Sequence, residues 1–102
     1  MKQMVSYKLK PDRVAENEAL VLAVFKALIR AKPAALSYAT FRQPDGVSFI
    51  HLVSYTQPDG RYALTSLPEF KAFAQGIEDR CEAPPVRVEL TEIGSYGVFD
   101  GS

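Results

Sequence analysis

Several residue types are scarce in this chain of 102 residues, and each scarcity excludes a class of site. The chain has no tryptophan, one histidine and one cysteine. Cys81 has no second cysteine for an internal disulfide or a cysteine-only metal site, so a reducing, cytoplasmic location is expected. One histidine without clustered carboxylates offers too few ligands for a metal ion. We therefore predict no metal site and no bound cofactor.

An excess of one charge and long apolar runs are also missing. Twelve basic and twelve acidic residues give a formal net charge of zero, which provides no broad positive field for nucleic acid or an anionic membrane. The longest apolar stretch, around residues 19–27, is much shorter than the ~20 residues that span a bilayer. The N-terminal residues lack the pattern of a signal peptide. We expect neither a nucleic-acid partner nor a membrane partner.

The chain does contain segments that alternate between strand and helix patterns. Four segments have the β-branched, aromatic or alternating residues typical of strands, at positions 3–10, 36–42, 47–55 and 86–93. Apolar residues recur at helical spacing over residues 13–32 and again over residues 67–81. The order β-α-β-β-α-β predicts a single α+β domain, residues 1–102, with a ferredoxin-like subunit. Such a subunit has a four-stranded antiparallel sheet with two helices on one face.

Local motifs predict where the helices and turns lie. Asp12 is the expected N-cap of the first helix. Ser66-Leu67-Pro68-Glu69 is a capping-box pattern, in which the serine hydroxyl bonds the backbone N–H of the glutamate. The tetrapeptide Gln-Pro-Asp-Gly occurs twice, at 43–46 and 57–60, and predicts a turn after each of two strands.

The predicted sheet has apolar residues on both of its faces. The set expected to meet the helices is aliphatic: Val5, Leu9, Ile50, Leu52, Val86, Val88 and Leu90. The set expected on the opposite face contains Met4, Phe49, Val53, Tyr55 and Ile93. Because an exposed apolar face is typical of an interface, we predict a homodimer in which two such sheets face each other around a barrel.

His51 is the first candidate for chemistry, since imidazole is the one side chain whose unperturbed pKa lies near neutrality. One interpretation is a general base that removes a proton from a phenol and so starts oxidation by dioxygen. The other is a half-buried histidine whose nitrogens bond Ser6, Glu89 or a group of the partner chain. Strand alternation puts His51 on the side of Phe49, Val53 and Tyr55, so we expect it at the sheet–sheet interface.

Further candidates could bind a ligand. Tyr7, Tyr38 and Tyr55 would line an aromatic pocket, although tyrosine is also simply favourable in strands. Arg42, at a strand end, would pair with a carboxylate or an enolate, or remain a solvated surface charge. Cys81 lies on an apolar helix stripe, where a thiol is expected to be inert.

Together these features resemble the dimeric α/β-barrel superfamily. The resemblance is carried by the element order, the strand pair 36–42 and 47–55, the helix start 66–73 and the apolar tail 94–102, which we expect to pack on the sheet or on a partner. The superfamily includes antibiotic-biosynthesis-type monooxygenases, stress-responsive barrel proteins and haem-degrading enzymes. The last group uses a tryptophan that this chain lacks. The resemblance implies a cofactor-independent monooxygenase acting on a small aromatic or phenolic compound. The alternative is a non-catalytic dimeric module that binds a small ligand or is purely structural.

Overall fold

A computed structural model describes residues 1–56 and 59–98. The elements in chain order are β1 (Lys2–Lys8), a short 3-10 turn (Pro11–Arg13), α1 (Val14–Ala31), β2 (Leu36–Arg42), β3 (Ser48–Tyr55), α2 (Asp59–Thr65), α3 (Pro68–Gln75), α4 (Ile77–Arg80) and β4 (Val86–Leu90). The predicted α+β, ferredoxin-like subunit is confirmed. The second helical region, predicted over residues 67–81, differs because it is divided into the two short helices α3 and α4, and a further helix, α2, precedes it.

The sheet has the strand order β2-β3-β1-β4, and every neighbouring pair is antiparallel. Val5 of β1 lies opposite His51 of β3 on one side and opposite Arg87 of β4 on the other. Thr40 of β2 also lies opposite His51. Residues that lie opposite one another point to the same face, so this register places His51 beside side chains from three strands.

The helices α1 to α4 cover one face of the sheet. Val21 and Val24 of α1, Leu64 of α2, Phe73 of α3 and Ile77 of α4 are buried in one hydrophobic core with β1 and β3. α1 ends at Lys32, whose left-handed backbone lets its N–H bond the carbonyl of Leu28 at 2.7 Å. Pro33 follows directly and does not allow the helix to continue.

The predicted assignment of strand faces is wrong for most residues. Phe49, His51 and Val53 lie in the helix-covered core with Tyr7. The aliphatic residues Ile50, Leu52, Val86, Val88 and Leu90, together with Met4, occupy the opposite face, which we call the open face. The register also places Tyr55 on the covered face. Only Val5, Leu9 and Met4 lie on their predicted sides. In β3, both sets of alternating side chains include apolar residues, so alternation within this strand could not decide which set meets the helices.

Both capping predictions are wrong as well. The residue before α3 is Leu67, which makes no side-chain capping bond. The hydroxyl of Ser66 instead donates to the carbonyl of Tyr62 and so satisfies the end of α2. Asp12 lies inside the 3-10 turn that continues into α1, so it is within the helical segment and not ahead of it.

The first Gln-Pro-Asp-Gly turn is confirmed as the β2–β3 hairpin. Asp45 accepts hydrogen bonds from the backbone N–H groups of Val47 and Ser48, and Gly46 has a left-handed φ of 79°. Of the second copy, residues 57 and 58 lie outside the described residues, while Asp59 and Gly60 begin α2. A Cβ added at Gly60 would lie 2.2 Å from the carbonyl oxygen of Ala35, so this close approach requires glycine.

Residues 91–98, the part of the segment after β4 that the structure describes, are all exposed. Ile93 and Tyr96 are almost fully exposed, so this part of the tail does not pack on its own subunit. Packing on a partner stays a prediction, and Phe99 lies outside the described residues. None of the helices within residues 1–56 and 59–98 combines the length and apolar character needed to cross a bilayer.

Candidate functional site

A cavity of about 70 Å³ lies between the sheet and the helices α2 to α4. Its wall is mainly aromatic and aliphatic, with Tyr7, Tyr38, His51, Phe70 and Phe73 as its rings. Gln3 and Arg87 contribute polar groups from β1 and β4. The cavity combines an apolar wall with a few converging polar atoms, as ligand sites do.

His51 lies at the centre of this site and is 3% exposed. Its Nε2 is 2.7 Å from the hydroxyl of Tyr7, and its Nδ1 is 2.6 Å from the hydroxyl of Tyr38. Thr40 Oγ1 is also 3.2 Å from Nδ1. The ring of Phe73 lies over the imidazole, with 5.2 Å between ring centroids. Both ring nitrogens of His51 therefore have partners inside the subunit.

The expected partners of His51 were different, and the register explains why. Ser6 lies on the open face, because it is opposite Ile50. Tyr7 and Tyr38 are one strand away from His51 and two positions along, at the diagonal positions that long side chains can bridge. The expected position of His51 at a sheet–sheet interface is wrong, since α3 covers it.

Two buried polar residues extend the cluster beyond Tyr7. Asn17 of α1 donates from Nδ2 to the Tyr7 hydroxyl at 3.0 Å. Arg80 of α4 donates from Nε to Asn17 Oδ1 at 3.0 Å and from Nη2 to the carbonyl of Phe73 at 2.7 Å. Its guanidinium lies 5.3 Å from the centre of the Phe73 ring. Arg80, Asn17, Tyr7, His51 and Tyr38 thus form one continuous chain of hydrogen bonds, which we call the buried relay.

Sequence analysis missed Asn17 and Arg80, although a signal for each was present. Asn17 precedes Val21 by four residues and Val24 by seven, so it shares their buried stripe. Arg80 follows Ile77 by three residues and Phe73 by seven, on the apolar side of that helical region. A polar residue at a core position of a helix needs partners, and here the two are partners of each other.

Burial keeps the titratable side chains of the relay in their neutral forms. Burial lowers the pKa of His51 from 6.5 to about 4, so the imidazole is neutral at pH 7. Burial is also the main reason that the pKa of Tyr7 is raised to about 12, which the hydrogen bond from Asn17 opposes. The pKa of Tyr38 is raised as well, chiefly by burial.

Arg80 is the exception, because a guanidinium does not lose its proton in proteins. Arg80 is 2% exposed, and no carboxylate among the described residues forms an ion pair with it. Burial lowers its pKa, but its charge remains. The relay therefore has one permanently charged end, at Arg80.

The other predicted residues lie outside this cavity. Arg42 forms a surface ion pair with Glu18 at 3.2 Å, and the hydroxyl of Tyr55 bonds the sulfur of Met1 at 3.1 Å. Cys81 is buried, and burial raises the pKa of its thiol, which keeps the thiol neutral. Within residues 1–56 and 59–98, no three His, Cys, Asp or Glu side chains are grouped so as to hold a metal ion.

Comparisons with known proteins support the fold. No protein-family model matches the sequence, and no protein of curated function matches it either. Solved structures do match. A Nitrosomonas europaea protein, provisionally described as an antibiotic biosynthesis monooxygenase, has a TM-score of 0.74 at 13% identity, covering 90% of this chain and 88% of that one.

Two further structures give the same result. One is described as an antibiotic biosynthesis monooxygenase, with a TM-score of 0.70 at 18% identity, covering 91% of this chain and 98% of that one. SnoaB from Streptomyces nogalater, described as a cofactor-independent oxygenase, has a TM-score of 0.67 at 14% identity, with coverages of 94% and 95%. At these identities the likeness shows the ferredoxin-like fold of the antibiotic-biosynthesis-monooxygenase type, and any activity of this chain has to be argued from the cavity.

Proposed function

We propose that this chain is a cofactor-independent monooxygenase that oxidises a small phenolic compound in the cavity beneath α3. One observation carries the proposal: a neutral, buried His51 contacts an aromatic-lined cavity and holds a tyrosine hydroxyl on each ring nitrogen. The description of the structurally similar SnoaB as a cofactor-independent oxygenase supports it.

The chemistry requires a group that accepts the phenol proton, because a phenolate gives up electrons to dioxygen more readily than a phenol does. With dioxygen as the oxidant, a phenol is converted to a quinone and water without an external reductant. One oxygen atom enters the ring and the other leaves as water. Both nitrogens of His51 are already bonded, so the proton would reach His51 Nε2 through the hydroxyl of Tyr7. The negatively charged phenolate of the substrate would then stabilise the positively charged imidazolium of His51.

Arg87 favours a substrate that is negatively charged during the reaction. It is exposed at the cavity, and its guanidinium makes no hydrogen bond or ion pair with the residues that the structure describes. Glu89, two residues along β4, shares its face of the sheet, yet it forms no salt bridge with Arg87 in the described chain. An unpaired cation at this position would meet a phenolate or a carboxylate substituent.

The size of the cavity limits how a ring can bind. A cavity of about 150 Å³ holds benzene, whereas this one measures about 70 Å³. Tyr38 also lines a neighbouring groove of about 260 Å³ with Phe25, Leu28 and Lys32. Because Tyr38 lines both spaces, we expect that a shift of its ring on ligand binding would join them and make room for an aromatic ring.

Oxygen uptake with a panel of mono- and dihydroxylated aromatic compounds tests the proposal. We expect the wild-type protein to consume dioxygen with at least one compound. His51→Gln should reduce the rate by roughly 10²-fold or more, the usual contribution of a positioned acid–base group. Tyr62→Phe is the matched control, since Tyr62 is 71% exposed. Equal rates in wild type and His51→Gln would contradict the proposal.

The alternative function is a non-catalytic module that binds a small ligand or is purely structural. The complete pairing of the polar atoms of the relay and the small cavity favour it. Under this alternative, no phenolic compound would cause dioxygen uptake. His51→Gln would then change only the free energy of unfolding.

We also propose that the chain forms a homodimer through the open face. Val86, Val88 and Leu90 are 57%, 41% and 37% exposed, and Met4, Ile50 and Leu52 continue the same apolar surface on β1 and β3. An exposed apolar patch of this kind is typical of a protein–protein interface. A cytoplasmic location stays a prediction from the cysteine count.

A further inference from the structure

We infer that Arg80 is a positioning residue. Through Asn17 and Tyr7 it fixes the direction of every hydrogen bond in the buried relay, and it thereby holds His51 in the tautomer with the hydrogen on Nδ1. The inference concerns the cavity of the proposed function. Its test needs no substrate, so it can fail or succeed separately from the proposed activity.

The first step concerns the amide of Asn17. Arg80 carries only hydrogen-bond donors, and its Nε lies 3.0 Å from one end of that amide. The amide must therefore present its oxygen to Arg80 and its NH₂ group to Tyr7, as the structure has it. Arg80 is itself held by the carbonyl and the ring of Phe73, so it cannot turn to release Asn17.

The second step concerns the hydroxyl of Tyr7. Its oxygen accepts a hydrogen bond from Asn17, which leaves its own hydrogen for another acceptor. His51 Nε2, at 2.7 Å, is the hydrogen-bond acceptor that the structure gives it. Nε2 therefore carries no hydrogen. A neutral imidazole has one N–H, so the hydrogen is on Nδ1 and is donated to Tyr38 at 2.6 Å.

The opposite tautomer would leave one buried group unsatisfied. With the hydrogen on Nε2, both His51 and Asn17 would donate to the Tyr7 oxygen. The hydroxyl hydrogen of Tyr7 would then have no acceptor within the described part of the chain. An unpaired buried donor is unfavourable, and Tyr7 is almost completely buried. In the Nδ1–H tautomer the hydrogen without an acceptor is that of the Tyr38 hydroxyl, which is only partly buried and lines the cavity. This difference in burial between the two hydroxyls selects the Nδ1–H tautomer.

The consequence for the cavity is a hydrogen-bond donor at Tyr38. Its oxygen accepts from His51, and a hydrogen bond from Thr40 opposes the effect of burial on its pKa. The hydroxyl hydrogen of Tyr38 is then left for a ligand in the cavity that it lines. If the proposed function holds, Tyr38 would donate this hydrogen to the phenolate oxygen.

The tautomer can be measured directly, because His51 is the only histidine in the chain. Protein labelled with ¹⁵N in histidine gives one Nδ1 and one Nε2 signal, and their chemical shifts show which nitrogen carries the hydrogen. At pH 7, we expect Nδ1–H as the main tautomer of the wild-type protein. A wild-type protein with mainly Nε2–H would overturn the inference without any variant.

Asn17→Asp tests the role of Arg80 and Asn17, because it should reverse the direction of the hydrogen bonds in the buried relay. A carboxylate only accepts hydrogen bonds, so it would take one from Arg80 and one from the Tyr7 hydroxyl. The Tyr7 oxygen would then accept from Nε2–H, and Nδ1 would accept from Tyr38. We expect the tautomer ratio to change roughly tenfold or more in favour of Nε2–H, the factor that an unsatisfied buried donor implies.

Gln75→Glu is the matched control, because it makes the same change from amide to acid at an exposed position of α3. It should leave the wild-type tautomer unchanged. If Asn17→Asp does not fold, Arg80→Gln replaces it. The glutamine amide can donate or accept, so Asn17 could turn over and the tautomer ratio should move towards an equal mixture. An unchanged Nδ1–H preference in either folded variant would refute the role of Arg80.

Discussion

On the covered face of the sheet, side chains from three strands place polar atoms among aromatic rings, as at Tyr7, Tyr38 and His51. On the open face, β3 and β4 carry aliphatic side chains, as at Ile50, Leu52 and Val88. The polar atoms lie where the helices exclude water. The apolar surface lies where, in the single subunit, nothing covers it.

This difference suits the two faces to the two different roles that we propose. Hydrogen bonds in a dry interior are electrostatically stronger and keep a fixed geometry, so the covered face can orient a ligand and move a proton. Among the described residues the open face has no comparable cluster of buried polar groups, but it has apolar surface of the kind that association would bury. Under these proposals, ligand binding within a subunit and association between subunits would use opposite faces of the same sheet.

A matched pair of leucines provides the strongest test of the comparison. Leu9→Ala should lower the free energy of unfolding by about 4 kcal/mol, because Leu9 is completely buried in the covered core. Leu90→Ala, on the open face, should cost less than about 1 kcal/mol in dilute protein, because Leu90 is already 37% exposed. Urea denaturation of both variants gives the two values. Equal losses of unfolding free energy in the two variants would mean that the two faces bury their leucines to the same extent.

The fold could be predicted from the sequence, whereas the set of strand side chains that lies on the helix-covered face could not. Strand and helix periods are local, and they gave the element order and the β2–β3 turn at Asp45 and Gly46. Both alternating sets of side chains in β3 include apolar residues. Which set faces the helices therefore depends on pairing with β1, where Val5 lies opposite His51. That pairing joins residues 46 positions apart, and periodicity within one strand holds no information about it.

The site was predicted only in part, for the same reason. Tyr7, Tyr38 and His51 were candidates because of their chemistry, and the register brings them together. Asn17 and Arg80 are 63 positions apart in the sequence, and only the fold brings them into contact. The helical spacing of Arg80 from Phe73 and Ile77 was a signal, but an arginine is so rarely buried without a carboxylate that this spacing alone did not identify it.

The pH dependence of stability tests the dry environment of the covered face. The pKa of His51 is about 4 in the folded chain and 6.5 without burial, so the unfolded chain binds more protons below pH 6.5. The stability that neutral His51 contributes is present above that pH and is lost as the pH falls towards 4. We expect a loss on the order of 2 kcal/mol between about pH 7 and about pH 5.

His51→Gln is the control for this measurement. It removes the only histidine and retains the carboxylates, so the difference between the two pH profiles isolates His51. Wild-type and His51→Gln proteins with the same profile over this pH range would show that His51 titrates normally. The relay would then be open to water.

The open face is tested by a charge placed at the middle of its edge strand β4. Val88→Glu should weaken the homodimer by roughly tenfold or more, because a carboxylate buried against a second apolar sheet loses its hydration without gaining a partner. Sedimentation equilibrium at micromolar concentrations measures the dissociation constant. Leu22→Glu is the matched control, since Leu22 is an exposed apolar residue on α1, on the helical side of the subunit. If both variants dimerise as the wild type does, or if the wild type is a monomer at these concentrations, then the open face is not the interface. The exposed valines of β4 would then need another partner.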